Sequence, residues 1–180
     1  VIRKIFKSLQ SSHTFIFVNK KTFAKELCEN LKAQGYESKF ISNALHRVQR
    51  DTIVKEFKEG AINVLICTNM VARGLDIPVA RAVVNYDMPL NDKNQVDFET
   101  YMHRQGRTGR FERNGVVINF ITSQNEAEFI TKVEKEYGLN FEEFHNSDED
   151  IQQIFDELAS ITPSKQDDTE NNEDNNDNDN

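Results

Sequence analysis

An α/β fold, with a mainly parallel central sheet flanked by helices, is what this sequence predicts, and three observations carry it. Short apolar runs rich in β-formers recur at Thr14–Val18, Tyr36–Ile41, Ile62–Cys67, Ala82–Tyr86 and Val116–Ile121. Segments of helical period, ten to fifteen residues long and closed by glycine, alternate with several of them. Polar residues collect just after the strands: Asn19 after the first, Thr68 after the third, Asp87 after the fourth. In parallel sheets that is where ligands bind, beyond the carboxyl ends.

Each element has its own signal. Ile2, Ile5, Phe6 and Leu9 read as a helix already under way at Val1, so the chain is expected to be a piece of a longer protein. Thr14-Phe-Ile-Phe-Val18 reads as a buried strand. Phe23, Leu27 and Leu31 recur at i, i+4, i+8, and Gly35 closes that helix. Tyr36–Ile41 is a second strand. His46–Glu59 is helical, with Ile53, Val54 and Phe57 inward and Gly60 as its stop. Three strands follow, and then a helix on Ala127, Ile130, Val133 and Tyr137 that ends at Gly138. Ser147-Asp-Glu-Asp150 reads as a helix N-cap leading into Ile151, Ile154, Phe155 and Leu158; no apolar strand precedes it, so it is not read as a nucleotide motif. Pro163 is expected to end order.

At 180 residues the chain has room for one core, and the expected division is a domain over 1–161 and a disordered acidic Asn/Asp-rich tail over 162–180. The net charge of −8 is concentrated in that tail, whose seven acids and one lysine leave only −2 on the other 161 residues. A basic site for an anion is therefore compatible with the overall acidity. Cys28 and Cys67 form no C-x-x-C pair and read as reduced core thiols of a cytoplasmic or nuclear protein. No apolar run reaches membrane-spanning length, and no membrane partner is expected.

Two stretches carry chemistry. Tyr101-Met-His-Arg-Gln-Gly-Arg-Thr-Gly-Arg110 holds Arg104, Arg107 and Arg110 at i, i+3, i+6, which a helical or turning backbone would point to roughly one side. Guanidinium forks suit phosphate oxygens, and phosphoryl transfer needs such charge as its bond breaks. Gly106 and Gly109 let the backbone turn between them. Thr68-Asn-Met-Val-Ala-Arg-Gly-Leu-Asp76 leaves the third strand with a hydroxyl, a close-approach glycine and a carboxylate that can accept from a ribose hydroxyl or orient an arginine. A strand-to-helix loop with a structural Arg73–Asp76 pair remains the alternative reading.

Taken together, Phe17-Val-Asn19, Arg50, Thr68–Asp76, Val83-Val-Asn-Tyr-Asp87 and His103–Arg110 resemble the C-terminal RecA-like domain of DEAD-box ATP-dependent RNA helicases, over about Thr14 to Tyr137. The long Asn-rich spacer from Leu90 to Thr100, with Asp97, is most similar to the subfamily that remodels messenger ribonucleoprotein at the nuclear pore during mRNA export. The resemblance implies a RecA-like three-layer domain. It implies that Arg107 and Arg110 are catalytic and meet the γ-phosphate of ATP, with Arg110 as arginine finger. Gly74 and Asp76 would also bind ATP, Asp76 at the ribose. Asn19, Arg50, Thr68 and Gly74 would hold RNA phosphates, and His103 and Arg104 would couple nucleotide to RNA. Implied partners are single-stranded RNA or ribonucleoprotein, the N-terminal RecA-like domain of the same protein and nuclear-pore-associated activators.

The chain departs from the family pattern at Ser42-Asn43-Ala44, in place of a His-Gly-x turn, and at His46, Gln105 and Glu112. It contains no G-x-x-x-x-G-K-[ST] and no acidic motif after a strand, so Mg²⁺ and most of the nucleotide would be held by the other domain. This chain alone is therefore expected to be inactive. Two other readings stay open at this point: a DNA translocase domain of the same architecture, and a stand-alone RNA-binding module without an ATPase role.

Overall fold

The computed structural model describes residues 13–68, 80–109, 115–144, 149 and 153. The expected helix at the start of the chain, Gly74, Asp76, Arg110, the Ser147 cap and the acidic tail lie outside the described residues.

Five strands form one parallel sheet: β1 Thr14–Val18, β2 Ser38–Ile41, β3 Val64–Thr68, β4 Ala82–Asn85 and β5 Val116–Asn119, in the spatial order β2-β3-β1-β4-β5. Four helices with described bounds connect or follow them: α1 Lys21–Ala33, α2 Arg47–Lys58, α3 Phe98–Gln105 and α4 Gln124–Tyr137. β1 is central and buried along its whole length, which is why its run of five residues is apolar without alternation.

Side chains alternate across the sheet. Ile16, Val18, Val64, Ile66, Ala82 and Val84 form one core with Ala24, Leu27, Cys28 and Leu31 of α1. Phe15, Phe17, Leu65, Cys67 and Val83 face the other way and pack on Val54 and Phe57 of α2. α3 shares that second side, since its Arg104 lies over the Phe17 ring and bonds Asn85, two residues on from Val83. A third cluster of Met88, Tyr101 and Val133 seats α4 on α3, with the Tyr101 and Phe129 rings edge to face at 5.1 Å. The expected three layers are thus present.

Boundaries shift at the ends. β2 starts at Ser38 rather than Tyr36, because the Tyr36 amide still donates to Leu31 O and closes α1. β3 starts two residues later than expected, at Val64, and ends one later, at Thr68. β4 ends at Asn85 and β5 at Asn119, the strands shortening where polar side chains begin. Gly35 and Gly138 end their helices at positive φ, 86° and 64°.

Candidate functional site

The route from β4 to the arginine-bearing stretch is built by the Asn-rich spacer. Asn91 Oδ1 accepts from the amides of Lys93 and Gln95, and Leu90 bridges antiparallel to Val96. Asp97 then caps α3, accepting from Thr100 N at 3.1 Å and Thr100 Oγ1 at 2.6 Å. Glu99 in the first turn and His103 and Arg104 in the last suit the helix dipole. Gly106 ends the helix immediately after Gln105.

That ending changes the arrangement expected for the arginines. Because the helix stops at Gln105, Arg104 and Arg107 do not share one helical face. Arg104 is on the helix and has no exposed surface; Arg107 is half-buried in the turn beyond it.

Arg104 donates from Nη1 to Asn85 Oδ1 at 3.0 Å and to the Asp87 carbonyl at 2.6 Å, and from Nη2 to Asn19 Oδ1 at 3.3 Å. Its guanidinium carbon stands 5.0 Å from the centroid of Phe17. Burial pulls its pKa from 12.5 to about 9, offset in part by the charge of Asp87, so it is charged at pH 7. A buried charge held by fixed acceptors sets the position of everything it bonds. Here it joins the last turn of α3 to the loops after β1 and β4.

Arg107 donates its amide to Arg104 O, and its carbonyl accepts from Ala80 N at 2.8 Å. Thr108 Oγ1 reaches the carbonyls of Ala80 and Arg81 at 2.8 and 3.0 Å, just before β4. The arginine turn therefore crosses from the carboxyl edge of β4 back to its amino end. Gly109 has φ 68°, and Gly115 lies directly against it: a Cβ there would come 2.5 Å from Gly109 N. The charges of Arg107 and Arg104 fall on Cys67 beneath them; burial outweighs both and pushes that thiol up to about 12, leaving it an inert core group.

The other expected site residues separate into groups. Asn19 sits at the carboxyl edge, but its amide donates to Asp87 Oδ2 at 2.8 Å and its Nδ2 to Met88 O at 2.7 Å. Those donors are spent inside the protein, so Asn19 shapes this loop and the lysines beside it, Lys20 and Lys21, face solvent. Thr68 is paired beside Val18 at the same edge. Arg50 lies one turn before Val54 on α2, and its Nε is buried without a hydrogen-bond partner, as is Ser42 Oγ in the loop before that helix. A donor in that state costs about 1–3 kcal/mol until it finds an acceptor. His103 is exposed on α3, 4.0 Å from Glu99. Gly74, Asp76 and Arg110 lie outside the described residues.

Sequence reasoning missed the frame behind Arg104. Asn85 Nδ2 donates to Asn119 Oδ1 at 2.8 Å, and Asn119 Nδ2 to Tyr101 Oη at 3.2 Å. The available signal was an asparagine ending each of two otherwise apolar strands, paired in register. Among the described residues no three His, Cys, Asp or Glu side chains converge on a metal-sized site, and no helix is long and apolar enough to cross a membrane.

Known proteins share this arrangement. The family described as helicase conserved C-terminal domain matches residues 1–112. ATP-dependent RNA helicase DBP5 of Saccharomyces cerevisiae is 39% identical over 138 residues, 77% of this chain and 29% of the relative. This chain thus spans about three-tenths of the length of that curated relative. The solved C-terminal domain of the DEAD-box protein Dbp5 superposes with a TM-score of 0.76 at 35% identity, covering 89% of both chains. S. cerevisiae Dbp5 bound to RNA and ADP BeF3 gives 0.76 at 34% identity, over 89% of this chain and 41% of that one. With a buried arginine frame on a five-stranded parallel sheet, and a family match over more than half its length, the chain belongs to the helicase C-terminal domain family, in its DEAD-box branch and similar to Dbp5.

Proposed function

We propose that this chain is the second RecA-like domain of an ATP-dependent RNA helicase that remodels RNA or ribonucleoprotein in mRNA export. The observation that carries the reading is Arg104, buried with no exposed surface and bonded at once to the loop after β1, the loop after β4 and the helix that leads into the arginine turn. A movement of that turn toward a nucleotide would pull on the RNA-facing edge through one rigid charge.

Arg107 and Arg110 would supply positive charge to the γ-phosphate oxygens when a preceding domain closes against this one, with Arg110 as the finger. Asp76 would accept from the ribose hydroxyl, and Gly74 would let the backbone come close. Mg²⁺ would be held with the nucleotide by that other domain. At the carboxyl edge Arg50 offers a buried donor in need of an acceptor; Thr68 and the loop shaped by Asn19 complete a surface suited to RNA phosphates and sugars. His103, exposed beside Arg104, would face the closing domain. Solved Dbp5 structures described as bound to RNA, to Gle1 with IP6, and to Nup159 support the same class of partners, with a nuclear and cytoplasmic location at the pore.

The test is ATPase activity of the full-length protein with single-stranded RNA and DNA of several sequences, at two salt concentrations. Stimulation by every RNA and by no DNA is expected, since none of the candidate contacts reads a base edge and the sugar hydroxyl offers both donor and acceptor. Each phosphate neutralised should contribute about −0.7 to the salt slope. Equal stimulation by DNA would overturn the assignment to RNA.

A further inference from the structure

Arg104 is held from behind by a chain of amides that ends on β5, and we infer that Asn85 and Asn119 are positioning residues that set the RNA-facing loop after β1. A guanidinium only donates, so Asn85 must turn its Oδ1 toward Arg104, 3.0 Å away. Its Nδ2 is then aimed at Asn119, whose Oδ1 accepts at 2.8 Å. Asn119 in turn presents its Nδ2 to the hydroxyl oxygen of Tyr101, itself fully buried. In the other direction Arg104 Nη2 bonds Asn19 Oδ1, and the Asn19 amide bonds Asp87. Every amide orientation is thus dictated by the one charge, and the chain runs across three strands, β5, β4 and β1, to the carboxyl edge.

Asn85 has no exposed surface. Asn119 is paired with Asn85 in register, and its side chain points at α3. Its effect on function must pass through Asn85 and Arg104 to Asn19. Fully made chains of this kind stiffen what they join; broken ones leave buried donors unmet.

Asn119→Leu keeps the branched outline of the side chain and removes both amide functions. In the full-length protein the Asn19 amide is expected to exchange with solvent about tenfold faster, while the Ile16 amide within β1 keeps its rate. The RNA concentration for half-maximal ATPase stimulation should rise about tenfold, with the RNA-independent rate and the KM for ATP within about twofold of the parent. Asn119→Asp should restore both readouts, since a carboxylate still accepts from Asn85 and Tyr101 can reverse its hydroxyl to donate. Should the leucine variant fail to fold, Asn119→Ser, too short to reach either partner, must give the same split.

The activity arm rests on the helicase reading; the exchange arm does not. Parent protein without RNA-stimulated ATPase, together with faster Asn19 exchange in the variant, would sink the function and keep the relay. A folded Asn119→Leu protein with unaltered Asn19 exchange and unaltered RNA dependence would overturn the relay, as would equal loss of basal and stimulated rates.

Discussion

Replacing Arg104 by methionine should cost more than any other single change on this surface. Methionine can keep the packing against Phe17 but offers no donor. Three acceptors lose their partner together: Asn85 Oδ1, the Asp87 carbonyl and Asn19 Oδ1. Each buried group left unmet costs about 1–3 kcal/mol, and side-chain rotation or an entering water recovers part of that. The net loss should fall near the 3–5 kcal/mol typical of breaking a buried charge-assisted set. At about 2–4 °C per kcal/mol for a protein of this size, the thermal midpoint should drop by roughly 6–20 °C. Arg104→Lys should recover less than half, because a compact ammonium on a shorter reach cannot span three acceptors held apart by a planar fork. Circular dichroism melts with urea titrations on the parent and both variants measure this directly. A methionine variant within about 1 kcal/mol of the parent would refute the view that Arg104 is the tie between α3 and the carboxyl edge.

Three further outcomes are expected. Gly115→Ala should cost about 1–3 kcal/mol in urea titrations, because its Cβ meets the Gly109 backbone, whereas Gly35→Ala, with open space around it, should show only the strain of its positive φ, about 1 kcal/mol. In the full-length protein Arg110→Ala should lower kcat by about 10³–10⁵ with little change in ATP affinity, and lysine should not rescue it, as single-turnover kinetics would reveal. Melts across pH should show stability falling above about pH 9. Below pH 9 all three shifted groups carry the same protons folded and unfolded. Above it Cys67, raised to about 12 by burial, costs stability as the unfolded thiol ionises from its ordinary 9.0. Tyr101, raised to about 12 by burial, then loses stability from about pH 10 upward, so Tyr101→Phe should flatten that final limb.

The parallel sheet was legible because its central strand is buried on two faces: after Thr14 the run at β1 is wholly apolar. Helix ends were legible where glycine takes positive φ, at Gly35 and Gly138. The arginine stretch was found by composition, and its backbone is part helix and part turn. Its even spacing suggested one face, while Gly106 stops the helix and sends Arg104 inward and Arg107 into a turn. Asn19 was readable as a site residue by position; that its amide is used up on Asp87, 68 positions away, is a tertiary fact without local signature. Asn85 and Asn119 each stood out as a polar end to an apolar strand, but strand order and register decide that they meet.

The central place of β1 bears on how the chain is made. Its partners come late: Thr14 pairs with Val64, fifty residues on, and with Ala82, sixty-eight residues on. At about 5–20 residues per second of synthesis, β1 waits roughly 3–14 seconds for its second neighbour. For most of that interval, until β3 is made, Phe15, Ile16, Phe17 and Val18, all but wholly buried at the end, have no strand to pair with. A short uncharged β-former of this kind is a template for pairing between nascent chains. Lys20 and Lys21 follow it immediately and stay exposed. The same two charges that stand at the carboxyl edge of the folded sheet therefore guard the unfinished strand against aggregation, and neutralising both should lower soluble yield on expression even where the folded protein is equally stable.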